Sequence, residues 1–128
     1  MHSILVVEDD HAIRVTLRAA LESMGWLVFT AANGIDGIMI LKRINLPCII
    51  LLDQMMPLMD GEGFLKIKNN DKELAPIPVI VLSAVSDRIT HLGAVGFLKK
   101  LVDLDLLFES IRKYCGEHLE PLETANEG

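Results

Sequence analysis

The sequence predicts an α/β fold in which a parallel sheet carries helices on both of its faces. Four short apolar runs each end at polar residues, and helical patterns alternate with them. These runs are residues 4–7, 49–52, 79–82 and 95–98. Continuous apolar runs of this length are typical of strands buried on both faces. Because the carboxyl ends of parallel strands share one edge, the polar residues that follow are expected to meet there.

The first half of the chain shows clear start and stop signals. Asp10 is predicted to cap the first helix and Gly25 to end it. The apolar positions of that helix follow one stripe: Ile13, Leu17, Ala20, Leu21 and Met24. Residues 26–31 are predicted to form the second strand. Residues 35–44 are predicted to form a helix that is apolar nearly all round.

The second half is less regular. Asp60 begins a third helix with a poor pattern, because two glycines weaken it and its apolar residues make no clean stripe. Residues 69–78 are predicted to be a polar loop. Between Ser83 and Gly93 there is room for about two helical turns, so a shortened fourth helix is expected there. Asp103 caps the last helix, whose stripe is Leu104, Leu107, Phe108, Ile111 and Cys115.

Size and composition favour one cytoplasmic domain. We expect a domain over residues 1–118 and a frayed acidic tail over residues 119–128. No apolar stretch approaches the ~18 residues of a membrane span, and no secretory leader pattern is visible. The net charge of −6 disfavours direct nucleic-acid binding. Cys48 and Cys115 lack metal-like spacing, so both are predicted to be reduced and partly buried.

The polar residues at the carboxyl edge of the predicted sheet suggest a binding site for a cation and a phosphoryl group. Carboxylates at Glu8, Asp9 and Asp53 would repel one another there, and a hard cation such as Mg²⁺ would relieve the repulsion. With the hydroxyl of Ser83 and the ammonium of Lys100 nearby, such a site suits phosphoryl transfer. Asp53, alone at its strand end, is the expected nucleophile. No GxxxxGK[ST] loop or GxGxxG turn supports a nucleotide site.

Four motifs give these residues a family resemblance. ILVVEDD (residues 4–10), LLDQMMPLMDG (51–61), Ser83-Ala84 and GAVGFLKK (93–100) resemble the receiver domain of bacterial two-component response regulators, of the chemotaxis response-regulator type. The resemblance covers about residues 3–116. It implies a flavodoxin-like fold with five parallel strands in the order 2-1-3-4-5.

The resemblance also implies a role for each polar residue at the edge. Asp53 would be the phosphoacceptor, supplied by a histidine kinase or a histidine phosphotransfer protein. Glu8, Asp9, Asp53 and the backbone carbonyl of Met55 would hold Mg²⁺ as the cofactor. The remaining roles concern the phosphoryl group and the switch: Ser83 and Lys100 would contact the phosphoryl group, and Phe97 would be the aromatic switch residue. For Phe97, plain core packing is the alternative.

The chain departs from the family pattern at Leu101 and in the stretch from Ser83 to Gly93, which is shorter than is usual in the family. Leu101 stands where proline is usual, so the Lys100–Leu101 bond is predicted to be trans. Met55 and Val85 flank the expected path of the hydrolytic water and are apolar, which predicts slow loss of the phosphate. On helix one, Arg14, Val15 and Arg18 are either kinase contacts or a solvated face.

The resemblance predicts a function and leaves alternatives to it. The chain is expected to be a phosphorylation-controlled switch rather than an enzyme, a monomer or weak dimer that acts on an unknown protein partner in the cytoplasm. A pseudo-receiver that binds proteins without phosphorylation is the alternative, and a flavin-binding or phosphatase enzyme is a more distant one. The chain could be a stand-alone regulator, a phosphorelay intermediate or a fragment, although Met1 suggests a natural start.

Overall fold

In the computed structural model, which describes residues 3–56, 58–83, 93–99 and 103–116, one parallel sheet carries the fold. Its strands are β1 (Ser3–Val7), β2 (Leu27–Ala31), β3 (Ile49–Asp53), β4 (Val79–Ser83) and β5 (Gly96–Lys99), in the order β2-β1-β3-β4-β5. The helices are α1 (His11–Ser23), α2 (Gly34–Leu41), α3 (Gly61–Asn69) and α4 (Leu104–Cys115). The predicted flavodoxin-like order 2-1-3-4-5 is confirmed.

Each of these helices begins at a residue whose side chain accepts a backbone N–H. The four caps are Asp10, Asn33, Asp60 and Asp103, each in an extended conformation. Such acceptors satisfy donors that have no partner within the helix. The two caps predicted from the sequence, Asp10 and Asp103, are therefore confirmed, and the third helix begins at Asp60 as predicted.

The sheet divides the core into two layers. Alternate strand residues face opposite sides, as the pleat requires. The layer under α1 and α4 contains Ile4, Val6, Leu17, Leu21, Trp26, Val28, Ile49, Leu51, Ile80, Leu82, Leu107, Ile111 and Cys115. The layer under α2 and α3 contains Leu5, Val7, Ala31, Ile38, Leu41, Ile50, Leu52, Phe64, Leu65, Leu74, Ile77, Val79 and Val81. Burial on both faces explains the continuous apolar runs of the sequence.

Helix α2 ends three residues earlier than the predicted range. At its end the N–H of Lys42 bonds both Ile38 O and Met39 O, and the N–H of Arg43 bonds Ile40 O at 2.9 Å. The bonds to Met39 and Ile40, each the third preceding residue, tighten the last turn, and the helix ends at Leu41.

The prediction for the cysteines was wrong. Cys48 and Cys115 form a disulfide, with Cα atoms 5.5 Å apart and a sequence separation of 67. Cys48 lies just before β3, and Cys115 ends α4 on its buried side. The packing of α4 on the sheet therefore brings together two thiols that sequence spacing gave no reason to pair.

Some predictions concern residues outside the described part of the chain. These are the shortened fourth helix between Ser83 and Gly93, Val85, the conformation of the Lys100–Leu101 bond, and the acidic tail. Within the described residues, no helix is both long enough and apolar enough to cross a membrane.

Candidate functional site

Three carboxylates meet at the carboxyl edge of the sheet. Glu8 and Asp9 follow β1, and Asp53 ends the neighbouring strand β3. Each offers an oxygen, and these oxygens all lie within 4.8 Å of one another. Glu8 is 0% and Asp53 1% exposed, whereas Asp9 is exposed to solvent. The structure thus brings together the three acids that the sequence predicted.

The loop that carries Glu8 and Asp9 is fixed by hydrogen bonds. The Glu8 N–H donates to Ala31 O at 3.0 Å, which extends the pairing of β1 with β2. The Asp10 N–H donates to Glu8 Oε2 at 3.1 Å. A guanidinium N–H of Arg14 donates to the Glu8 carbonyl at 2.8 Å. These contacts hold the backbone of the acidic loop against β2 and α1.

Arg14 therefore has a role that sequence reasoning missed. The sequence predicts a kinase contact or a solvated face for Arg14, but its side chain turns back toward the acidic loop. A guanidinium nitrogen of Arg14 also lies 3.2 Å from Nδ1 of the exposed His11. Val15 is 50% exposed, and Arg18 forms an exposed ion pair with Glu22 at 3.0 Å.

Asp53 is held between the end of β4 and the start of α3. The N–H of Met55 donates to Asp53 Oδ1 at 3.3 Å. Directly after Asp53, the Gln54 N–H donates to Leu82 O at 3.1 Å, and Gln54 O accepts from the Gly61 N–H at 2.9 Å. A Cβ at Gly61 would lie 3.1 Å from the carbonyl oxygen of Asp53, so this approach suits glycine.

Ser83 ends β4 beside Asp53 and is 4% exposed. Its hydroxyl donates to Oε1 of Gln54 at 2.7 Å. Sequence reasoning missed Gln54, because its contact depends on the register of β3 with β4, which the apolar runs alone do not fix. Asp53 is paired with Leu82, so the next residue of each chain segment, Gln54 and Ser83, lie side by side.

The other predicted site residues occupy different positions. Phe97 is partly buried on β5, paired with Val81, and packs against the layer under α2 and α3. Met55 is 72% exposed in the loop after β3. The predicted position of Lys100 near Asp53 lies outside the described residues.

The donor set suits a hard divalent cation. Carboxylate oxygens are ligands that Mg²⁺ prefers, and it usually keeps several waters in addition to one or two carboxylates. Two of the three acids are buried and the third faces solvent, which leaves an open side for water and for a substrate. The Glu8, Asp9 and Asp53 cluster therefore fits Mg²⁺.

Comparison with known proteins places this chain in a family. The family model described as the response regulator receiver domain matches residues 4–112. A probable transcriptional regulator, ycf27, from Porphyridium aerugineum is 38% identical over 99 residues, covering 76% of this chain and 41% of the relative. Sporulation initiation phosphotransferase F from Bacillus subtilis is 32% identical over 117 residues, covering 87% of this chain and 91% of the relative. The chain thus spans about two-fifths of the first of these relatives.

Solved structures show the same architecture. The receiver domain of a signal transduction histidine kinase from Syntrophus aciditrophicus has a TM-score of 0.82 and 28% identity, with 89% of each chain covered. The receiver domain of a sensor histidine kinase from Pseudomonas aeruginosa also has a TM-score of 0.82, with 24% identity, covering 90% of this chain and 98% of that one. That protein has a magnesium ion coordinated in its active-site cleft.

Proposed function

Since this chain belongs to the response regulator receiver domain family, we propose that it accepts a phosphoryl group on Asp53 and thereby changes its contacts with other proteins. The observation that carries this proposal is the cluster of Glu8, Asp9 and Asp53, whose oxygens lie within 4.8 Å of one another at the carboxyl edge of the sheet. A buried carboxylate with two acidic neighbours and one open side is suited to in-line attack on a phosphoryl group.

The proposed reaction forms an acyl phosphate. A carboxylate oxygen of Asp53 bonds to phosphorus while the bond from phosphorus to the imidazole nitrogen of a phosphohistidine breaks, and the imidazole leaves. Glu8, Asp9, Asp53 and the carbonyl of Met55 would hold Mg²⁺, which supplies positive charge that neutralises the phosphoryl oxygens. The Met55 N–H, now 3.3 Å from Asp53 Oδ1, is positioned to stabilise negative charge there.

Three further residues would respond to the new group. The hydroxyl of Ser83 and the ammonium of Lys100 would contact the phosphoryl oxygens, and Phe97 would change its packing. Two observations support this assignment. Ser83 ends the strand that pairs with the strand of Asp53, and Phe97 lies on the next strand and is only partly buried.

The expected phosphoryl donor is a histidine kinase or a histidine phosphotransfer protein. Such a role makes the chain a phosphoacceptor in two-component signalling rather than an enzyme that turns over a substrate. We further propose that it acts in the cytoplasm, as a monomer or weak dimer, on a protein partner. Its net charge of −6 argues against direct contact with nucleic acid.

Acetyl phosphate with Mg²⁺ tests the proposal. The protein is incubated with both and its intact mass is measured. We expect an adduct of one phosphoryl group that is lost in Asp53→Ala and when EDTA removes the metal. Asp36→Ala, which removes an exposed carboxylate in the first turn of α2, is the control and should retain the adduct.

A wild-type protein that forms no adduct under these conditions would contradict phosphoacceptance. It would support the alternative, a pseudo-receiver that binds its partners without phosphorylation. An adduct that persists in Asp53→Ala would instead move the phosphoacceptor to another residue.

The apolar side chain of Met55 predicts a long-lived acyl phosphate. It is 72% exposed beside Asp53 and cannot orient a water molecule by hydrogen bonding. The decay of the adduct, followed by mass after removal of acetyl phosphate, should take much longer than seconds. Met55→Asn, which adds a side chain able to hydrogen-bond water, should shorten the half-life. Equal half-lives would contradict this explanation.

A further inference from the structure

Gln54 makes a contact that the proposed chemistry does not use. Its side-chain oxygen accepts the Ser83 hydroxyl proton at 2.7 Å, the usual distance for a well-formed O–H···O hydrogen bond. Ser83 is 4% exposed, so little water is available to replace this acceptor. In the described structure, the proton that Ser83 would offer to a phosphoryl group is therefore directed at Gln54.

The backbone of Gln54 is fixed on both sides. Its N–H donates to Leu82 O at 3.1 Å, and its carbonyl accepts from the Gly61 N–H at 2.9 Å. The first bond continues the pairing of β3 with β4, and the second ties Gln54 to the first residue of α3. The side-chain amide thus reaches Ser83 from a backbone that is hydrogen-bonded on both sides.

The side chain itself has room to move away. Gln54 lines a surface cleft of about 200 Å³ between the loop after β3 and the start of α3. Asp60, Glu62 and Leu65 also line this cleft. If the Ser83 hydroxyl turned toward a phosphoryl group, the Gln54 amide could exchange its bond to Ser83 for water in the cleft.

We propose that Gln54 is a positioning residue that holds Ser83 in the unphosphorylated state and so opposes phosphorylation of Asp53. This inference rests on the proposed function. A hydroxyl has one proton to donate, so Ser83 must release Gln54 before it can donate to a phosphoryl oxygen. The free energy of that hydrogen bond is then subtracted from the binding of the phosphoryl group.

Beryllofluoride, which imitates the phosphoryl group on a carboxylate, measures this opposition by isothermal titration in the presence of Mg²⁺. Gln54→Met keeps the length of the side chain and removes its acceptor. We expect Gln54→Met to bind beryllofluoride about fivefold more tightly than wild type, the ratio that corresponds to about 1 kcal/mol for one hydrogen bond.

The same substitution in Ser83→Ala separates this role from simple packing. Without the hydroxyl there is no bond to release, so Gln54→Met should leave the affinity of Ser83→Ala unchanged within about twofold. An equal gain in both backgrounds would contradict the inference, because it would show that Gln54 acts independently of Ser83. No gain in the wild-type background would contradict it as well.

A measurement without ligand tests the bond itself. Urea unfolding is measured for the wild type, the two single variants and the double variant. The effects of Gln54→Met and Ser83→Ala on the unfolding equilibrium constant should be non-additive by about fivefold. Additive effects would overturn the inference. A wild-type protein that binds no beryllofluoride would contradict the proposed function, and this regulation with it. Binding that does not depend on Gln54 would contradict only the regulation.

Discussion

Leu58 has a backbone conformation that is unfavourable for leucine. Its φ is 68°, in the left-handed region, and 78% of the residue is exposed. A leucine in this region costs roughly 1–2 kcal/mol, whereas asparagine tolerates it. Little packing would be lost on substitution. We therefore expect Leu58→Asn to raise the free energy of unfolding by about 1 kcal/mol, measured by urea denaturation.

Met55 provides the matched control for Leu58. It lies in the same loop and is 72% exposed, but its φ is not positive. Met55→Asn should change the free energy of unfolding by no more than about 0.5 kcal/mol. An equal gain from both substitutions would show that removal of exposed apolar surface, and not the backbone conformation of Leu58, is the cause.

Lys68 is a buried cation with neutral partners. It is 2% exposed, and its ammonium donates to Ala75 O at 2.8 Å and to Asn69 Oδ1 at 3.1 Å. Burial lowers the pKa of Lys68 below its ordinary value of 10.5. Between the folded pKa and 10.5, the unfolded chain binds more protons than the folded one. The contribution of Lys68 to stability should therefore rise with pH in that window and be constant below it.

Unfolding experiments at a series of pH values test this dependence. The free energy of unfolding of wild type relative to Lys68→Met should be constant at acidic pH and increase as the pH approaches 10.5. Lys66→Met, which removes an exposed lysine from the same helix, should show no such trend relative to wild type. The same pH dependence in both variants would show that it arises from the loss of one positive charge and not from the burial of Lys68.

These residues also mark where sequence reasoning stopped. Glu8, Asp9 and Asp53 could be predicted as a cluster because each follows an apolar run, and parallel strands bring such positions to one edge. Gln54 and Arg14 could not, because their contacts depend on a side-chain direction and on the exact pairing of β3 with β4. Polar residues of this kind have many possible partners in a sequence and only one set in a fold.

At the scale of elements, α2 and the loop after β3 touch through Gly34. A Cβ at Gly34 would lie 2.8 Å from the backbone oxygen of Met59 and 2.9 Å from its Cβ. Backbone atoms cannot yield cheaply, so α2 or the loop would have to shift. Gly34→Ala should lower the free energy of unfolding by about 1–3 kcal/mol, the usual cost of overpacking. Thermal or urea unfolding measures this.

Gly63 offers a control against the same neighbour. A Cβ there would meet the flexible Cγ of Met59 at 3.1 Å and Asp60 Oδ1 at 3.4 Å, without a backbone clash. Because alanine is also the better helix former, Gly63→Ala in α3 should be neutral or stabilising. If both variants lost the same free energy of unfolding, the contact would be limited by the side chain of Met59 and not by its backbone.

Helix α3 shows why its sequence pattern is weak. Its buried positions are Gly61, Phe64, Leu65 and Lys68, which follow the expected steps of three, one and three. Two of the four are a glycine and a lysine, and Ile67, which counted as apolar in the sequence, is 42% exposed. The stripe is regular in position but not in residue type. Polarity alone therefore could not reveal it.

At the scale of the whole molecule, the Cys48–Cys115 disulfide joins the sheet to the last helix. It closes a loop with a sequence separation of 67, and in the chain-entropy account a cross-link of this span stabilises a fold by about 4 kcal/mol, by restricting the unfolded chain. We expect dithiothreitol to lower the free energy of unfolding of the wild type by about that amount.

The variant without either thiol separates reduction from other effects of the reagent. Cys48→Ala/Cys115→Ala should be less stable than the oxidised wild type and should not respond to dithiothreitol. If the untreated wild type already reacts as two free thiols and shows the same midpoint with and without reductant, the cross-link is absent in solution. The chain topology followed from local patterns, but this pairing did not, because it depends on how α4 docks on the sheet.

The two-layered core gives the disulfide a particular relation to the phosphoryl site. The cross-link belongs to the layer under α1 and α4, whereas Phe97 packs on the opposite layer. Reduction of the disulfide would thus remove a cross-link on one side of the sheet only and leave the contact surface of the aromatic ring on the other side intact. The sheet thus separates a layer that is constrained by a covalent cross-link from the layer in which Phe97 would change its packing.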